Sequence, residues 1–412
     1  MKHLLFFLAF IFLICPSLSF SQDVIIKSLQ TYKNNQEIQL PVIIFSKEYN
    51  DKLKIEFDVK ANDPPNLIVV FKFCDRNWNP YKNYFLTNDG KDRGYNFNYS
   101  ILPNSVNEAN YHYKGEFPSK KDFVNFPFSG NWRFYITESN DTSKVYASGK
   151  FYIIYPEVVL NSFIITDKLE GTELFPTDLK NTFNVTTNFE IPNELFPGYI
   201  NEVRIIENHK INYPIIINRD FNTLVRQYYW DANRKFTFTA RDIKPNNEYR
   251  QLNFMNTNRF SSKNVSAQYD GIEYSRFFQQ GDKDLNGGKI LKHFNDSYAN
   301  YLEVNFSFRS PEKNYGDIFL VGSFNDWTLS NAYKMNKDND LYTYGLNLKR
   351  GIYDYQYVAT VGNSKGVISY DWQILEGNSW DTINEYHIFL YYNEPDLGGY
   401  DRIIGYTLIE SK

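Results

Sequence analysis

Apolar and polar residues alternate with a period of two over much of this chain. In Lys54-Ile55-Glu56-Phe57-Asp58-Val59 the apolar side chains fall on one face and the charges on the other, which predicts a half-exposed strand. After an Asp63-Pro64-Pro65-Asn66 turn, residues 67–73 are almost continuously apolar and predict a more deeply buried strand. Ser129-Gly130-Asn131 feeds a strand at 132–136, and Ser148-Gly149-Lys150 feeds another at 151–155 that Pro156 closes. The middle third predicts strands at 201–206, 213–218, 224–230 and 236–240. Pro176, Pro192, Pro197 and Pro245 leave no room there for long helices. The last third predicts strands at 302–308 and 317–322. It also predicts a β-hairpin in which 341–348 turns at Lys349-Arg350-Gly351 and runs back along 352–358. No stretch of twelve residues shows a convincing 3.6-residue period.

These elements predict an all-β protein of three immunoglobulin-like or E-set β-sandwich domains in series. The expected segments are a signal peptide at 1–21, an N-terminal sandwich at 22–156, a middle β-rich domain at 157–298 and a C-terminal sandwich at 299–412. Composition agrees, since 18% of the 412 residues are aromatic and alanine is scarce. A net charge of −4 leaves no basic excess for nucleic acid, and 42% apolar content is too high for disorder at this charge.

The first residues read as an export signal. Lys2 and His3 precede an apolar run at 4–14, Pro16 breaks it, and Ser19-Phe20-Ser21 supplies small residues for cleavage after Ser21. The run is shorter than the roughly 20 residues of a membrane span. Cys15 as a lipoprotein anchor is a second reading, against which bulky Ile14 stands. Once Cys15 is removed, Cys74 is the one remaining cysteine, so no disulfide framework is expected, and its strand context predicts a buried thiol.

Motifs for chemistry are sparse. His112, His209, His293 and His387 show no metal-ligand spacing, and no nucleophile elbow or phosphate-binding glycine loop occurs. No catalytic residue, metal or cofactor is expected. Asp282-Lys283-Asp284-Leu285-Asn286-Gly287 has the first ligand positions of a calcium loop, but His293 stands where its closing glutamate belongs. A polar turn using positive φ at Asn286-Gly287 is the favoured reading. Val321-Gly322-Ser323-Phe324-Asn325-Asp326-Trp327 resembles the start of glycogen-binding β-sandwich modules. That likeness gives an alternative function, carbohydrate binding on a platform of Trp327, Trp372 and Trp380.

An ordered series of short motifs carries a wider resemblance. It comprises Ile55-Glu56-Phe57-Asp58, Phe73-Cys74-Asp75-Arg76-Asn77-Trp78, Ser129-Gly130-Asn131-Trp132, Asn247-Glu248-Tyr249-Arg250 and Asp284-Leu285-Asn286-Gly287. Near the end come Glu376-Gly377-Asn378, Thr382-Ile383-Asn384-Glu385-Tyr386 and Tyr400-Asp401-Arg402-Ile403-Ile404-Gly405-Tyr406. In this order they resemble the type IX secretion system plug proteins of Bacteroidota, from about residue 24 to 406. Phe73 stands where that family usually has histidine, and Trp132 where it has tyrosine. The resemblance implies a non-enzymatic periplasmic protein whose partner is the large outer-membrane β-barrel translocon of that system. It would close the periplasmic mouth of the pore, with no small-molecule substrate and no nucleic acid involved. Which residues touch the partner is not legible.

Overall fold

A computed structural model describes residues 24–95, 97–119, 123–170, 177–269, 271–311, 316–362 and 368–412. The expected signal peptide, with Cys15, lies outside the described residues. Among those described, helical geometry is confined to 3₁₀ turns of three or four residues, and the rest of the regular structure is strand. The all-β sandwich architecture expected from the alternation is what the chain adopts.

The first sandwich packs two sheets. One orders Ile25–Lys33, Leu53–Lys60, Tyr111–Phe117 and Asn98–Ile101; the other orders Val42–Ile44, Val145–Ile154, Gly130–Glu138, Leu67–Cys74 and Arg93–Gly94. Ile55, Phe57 and Val59 point between the sheets and meet Val69, Phe71, Phe73, Trp132, Phe134 and Phe151. Leu67–Cys74 is buried at all but one position, as its unbroken apolar run requires.

The second sandwich is not built from consecutive sequence. One sheet orders Asn161–Lys168, Asn181–Glu190, Lys235–Ile243 and Arg226–Trp230. The other orders Ile215–Asn218, Ile200–Glu207, Glu385–Glu394 and Tyr400–Glu410. Ile206 therefore pairs with His387, and the last two strands of the chain close a sheet begun at Ile200. The third sandwich occupies the sequence between Ile243 and Glu385. Gly351–Gly362 pairs with Arg250–Asn253, Lys289–Leu291, Ile318–Gly322 and Ile368–Asp371 in one sheet. Facing it, Tyr301–Arg309 pairs with Leu341–Lys349, Asn264–Ser266 and Glu273–Tyr274. The sheets thus depart from the linear division at 157–298 and 299–412. Strand pairing places 250–291 with the third sandwich and returns 385–410 to the second.

The expected hairpin at 341–358 is likewise corrected. Both strands form, but Leu341–Lys349 lies in one sheet and Gly351–Gly362 in the other, so the chain crosses the sandwich at Lys349-Arg350-Gly351. The bend that reads as a polar turn is buried. Arg350 is 2% exposed and donates to the carbonyls of Phe254 and Phe260, both at 2.9 Å, while Lys349 is 3% exposed.

Candidate functional site: the junctions between the sandwiches

The family-like motifs converge on the seams where the sandwiches meet. Between the first and second, Leu40, Val42, Trp78, Tyr152 and Ile154 pack against Ile206, Phe389, Tyr391 and Ile403, with Tyr152 and Phe389 stacked at 4.3 Å. Polar groups flank this apolar contact. Asp75 Oδ1 accepts the backbone N–H groups of Asn77 and Asn79, both at 2.8 Å, which folds 75–79 into a tight loop presenting Arg76. Arg76 Nε donates to Asp401 Oδ1 and its backbone N–H to Asp401 Oδ2, both at 2.9 Å; Arg76 also pairs with Glu202 at 3.3 Å. Arg204 donates to Asn77 Oδ1 at 3.0 Å, and both guanidiniums lie over the Tyr391 ring. Tyr391 in turn donates to Asn131 Oδ1 at 2.7 Å. Gly130 adopts φ +148°, and a Cβ there would meet the Phe73 ring at 2.9 Å and the Asp401 carbonyl at 3.2 Å. The Ser-Gly-Asn turn therefore carries glycine because of its backbone angle, the Phe73 ring beneath it and the close approach of Asp401 from the second sandwich.

The seam between second and third sandwiches is amide-rich. Asn247 Nδ2 donates to the carbonyls of Gln279 and Glu376 at 2.7 Å, and Glu248 Oε1 accepts the Ile383 N–H at 2.8 Å. Asn384 donates to the Pro245 carbonyl at 2.6 Å and accepts from Asn208 Nδ2 at 2.8 Å. Beside the seam, within the third sandwich, the almost wholly buried Arg250 pairs with Glu273 and Glu376 at 3.0 Å, and Arg276 joins Glu376 at 3.2 Å. Burial alone would push the Glu376 carboxyl up, but these two guanidiniums hold it below the usual range.

The Asp-Leu-Asn-Gly loop belongs to the same seam, and its oxygens face protein. Asp284 Oδ1 accepts the Asn286 N–H at 2.6 Å and Oδ2 that of Tyr249. Asp354 Oδ2 accepts from Leu285 at 2.7 Å and Gly287 at 2.9 Å. Asn286 and Gly287 both take positive φ, as a turn requires. Burial, then mutual repulsion with Asp354 and Glu248, pushes the Asp284 carboxyl well up. No cluster of three or more His, Cys, Asp or Glu among the described residues is disposed to hold a metal ion.

The first and third sandwiches meet at Asp58, which is 1% exposed. It accepts from Lys349 Nζ at 2.7 Å and the Tyr301 hydroxyl at 2.9 Å, and bonds His112 Nδ1 at 2.8 Å. The His112 ring stacks on Phe294 at 4.1 Å. Burial works against the imidazolium, yet the bonds to Asp58 and Glu56 outweigh it and raise His112.

The three candidate tryptophans are not gathered into a platform. Trp327 is 1% exposed, packs against the tilted Tyr249 ring with centres 4.2 Å apart and donates to the Gly287 carbonyl at 2.8 Å, so neither ring face is open to a sugar. Trp372 packs beside it under Lys210, whose Nζ lies 4.8 Å from the ring centre. Trp380 sits on the second sandwich core and donates to the Thr182 carbonyl at 3.0 Å. Cys74 is buried, and burial pushes its thiol up to about 12, which leaves an inert side chain. The sequence did not single out Glu202, Arg204 or Lys349. No local signal marks them, since Glu202 and Arg204 alternate with Val203 and Ile205 as solvent-facing charges would, and Lys349 stands at an apparent turn.

The fold is a set of three β-sandwiches, and polar side chains of the shared motifs lie in and beside the junctions between them. Residues 26–155 match the family described as "Type 9 secretion system plug protein 1st domain", which supports the resemblance read from the motifs over the first sandwich. A crystal structure of a hypothetical protein from Parabacteroides merdae superposes with a TM-score of 0.73 at 21% identity, covering 94% of this chain and 98% of that one; it establishes a shared fold. No curated protein matches the chain.

Proposed function

We propose that this protein is a non-enzymatic plug that docks on the periplasmic mouth of the type IX outer-membrane translocon and closes its pore. The observation that carries the reading is the match of the whole first sandwich to a plug-protein domain. The physical character of the molecule suits the task. A closure must bear load across its width, and the three sandwiches are tied by ion pairs and amide bonds rather than by open linkers. Docking area would come from exposed aromatic residues such as Tyr84, Phe85, Phe123, Phe221 and Phe278, since aromatic side chains are enriched in interface hot spots.

The test is affinity capture of the tagged protein from detergent-solubilised outer membranes, followed by mass spectrometry. A very large β-barrel translocon recovered as the dominant partner supports closure, and cross-linking then maps the contact loops. Its absence from the captured material, in cells that express the barrel, refutes it.

A further inference from the structure

We propose that the cavity where the three sandwiches meet binds a small oxyanion, a carboxylate or phosphate group, through Arg133, Lys150 and Gln30. The cavity measures about 420 Å³, within the roughly 300–1,000 Å³ range of small-molecule sites. All three sandwiches line it: Gln30, Arg133 and Lys150 from the first, His209 and Asn212 from the second, Lys289 and Ser323 from the third. The site stands whether or not the protein closes a translocon.

Three cations line it, and among the described residues none of them forms an ion pair with a carboxylate. Arg133 and Lys150 are direct cross-strand neighbours, an arrangement that costs stability unless something neutralises it. Lys150 Nζ donates to Asn212 Oδ1 at 2.6 Å and lies 4.9 Å from the Trp78 ring; Lys289 Nζ donates to the carbonyls of Leu29 and Ser323 at 2.9 and 3.1 Å. Asp326 and Glu37 line the cavity as well, and Asp326 attracts both lysines through space, but among the described residues neither carboxylate forms an ion pair with the three cations. Burial, and then Arg133, push Lys150 down to about 8, a shift that a bound anion would oppose.

Two donors are left over. Gln30 is 7% exposed, and its Nε2 is buried without an acceptor, as is Arg133 Nε. Buried donors in native proteins are ordinarily satisfied, so such a pair lining one cavity marks a place for an acceptor. The register shift at Lys27/Gln30, with Ser28 at φ +52°, re-aims this stretch of the edge strand and brings the Leu29 carbonyl to Lys289.

The experiment is thermal unfolding of the purified full chain titrated with sodium phosphate or sodium citrate, against sodium chloride at matched ionic strength. The proposal expects a saturable rise in melting temperature beyond the chloride control. A response to phosphate alone identifies a phosphoryl ligand, and one to citrate alone a carboxylate. Arg133→Met and Lys150→Met should weaken the half-saturating concentration at least about tenfold, with Arg133→Lys recovering part of it. Gln30→Glu, which sets a carboxylate of the chain itself into the cavity, should raise the anion-free melting temperature and abolish the response. No shift beyond chloride in the wild-type protein, or a shift untouched by these substitutions, overturns the proposal.

Discussion

The seam between the first two sandwiches and the outer face of the second use similar residues for opposite ends. At the seam, Tyr391 lies beneath two guanidiniums, Tyr152 stacks on Phe389, and Arg76, Arg204 and Tyr391 each bond a partner across the boundary. On the outer face, Phe163, Thr186 and Thr239 lie side by side on neighbouring strands, with Ile165 and Tyr229 nearby. The threonine hydroxyls bond one another at 3.1 Å, while Phe163, Ile165 and Tyr229 are exposed at 46%, 54% and 66%. Aromatic residues therefore do not mark a function by their number. Buried rings fill the sandwich cores and the seams between them, and the exposed ones are left for whatever the molecule meets.

Substitutions should divide along the same line. The largest loss is expected for Arg250→Ala, which leaves Glu273 buried without a cation and Glu376 with Arg276 alone and should cost about 3–5 kcal/mol, read as a fall in the urea midpoint. Trp327→Ala empties a buried aromatic site and should cost a similar ~3–5 kcal/mol, with no change in tryptophan fluorescence on adding glycans in the parent protein. A saturable glycan effect would reopen the sugar-binding reading. Tyr391→Phe keeps the ring but strands the Asn131 amide oxygen, for a loss of about 1–3 kcal/mol. Tyr229→Ser, on the open face, should stay within about 0.5 kcal/mol of the parent. Equal losses at Tyr391 and Tyr229 would erase the distinction.

The first-to-third seam adds a pH dependence. The His112 pKa is raised in the folded state, so its contribution is complete below the unfolded histidine value of about 6.5 and is lost as pH rises through the folded value. Glu56 behaves oppositely. Although burial pushes its carboxyl up, bonds to His112, Lys114 and Tyr32 lower it to about 2, so its contribution is present above the unfolded value of about 4.3 and fades as pH falls towards 2. Melting temperature against pH should therefore decline on both sides of a mildly acidic plateau. His112→Gln should flatten the alkaline decline; an unchanged profile would place the titrating group elsewhere.

Much of this was legible in the chain. The two-residue period at Ile55, Phe57 and Val59 named the core face correctly, and the motif order pointed to the secretion family matched over 26–155. What was hidden depends on distant pairing. Ile206 and His387 are neighbours in a sheet, but nothing local in either strand says that a whole sandwich is inserted between them. Lys349-Arg350-Gly351 has the composition of an exposed turn. It is buried because Asp58 and three backbone or amide carbonyls receive its charges. Trp327 reads as a sugar platform until the Gly287 carbonyl is brought to its indole N–H. The cavity at the triple junction could not be foreseen, because its three walls come from separate parts of the chain.

The central claim is that the motif residues lock three sandwiches into one body, and native-state hydrogen exchange tests it most directly. The account predicts that the seam amides of Arg76, Asp401 and Leu329, bonded to Asp401, Tyr81 and Tyr213 of the neighbouring sandwich, exchange as slowly as the core amide of Phe71. Seam amides exchanging orders of magnitude faster than Phe71, through opening of one sandwich from the next, would contradict it.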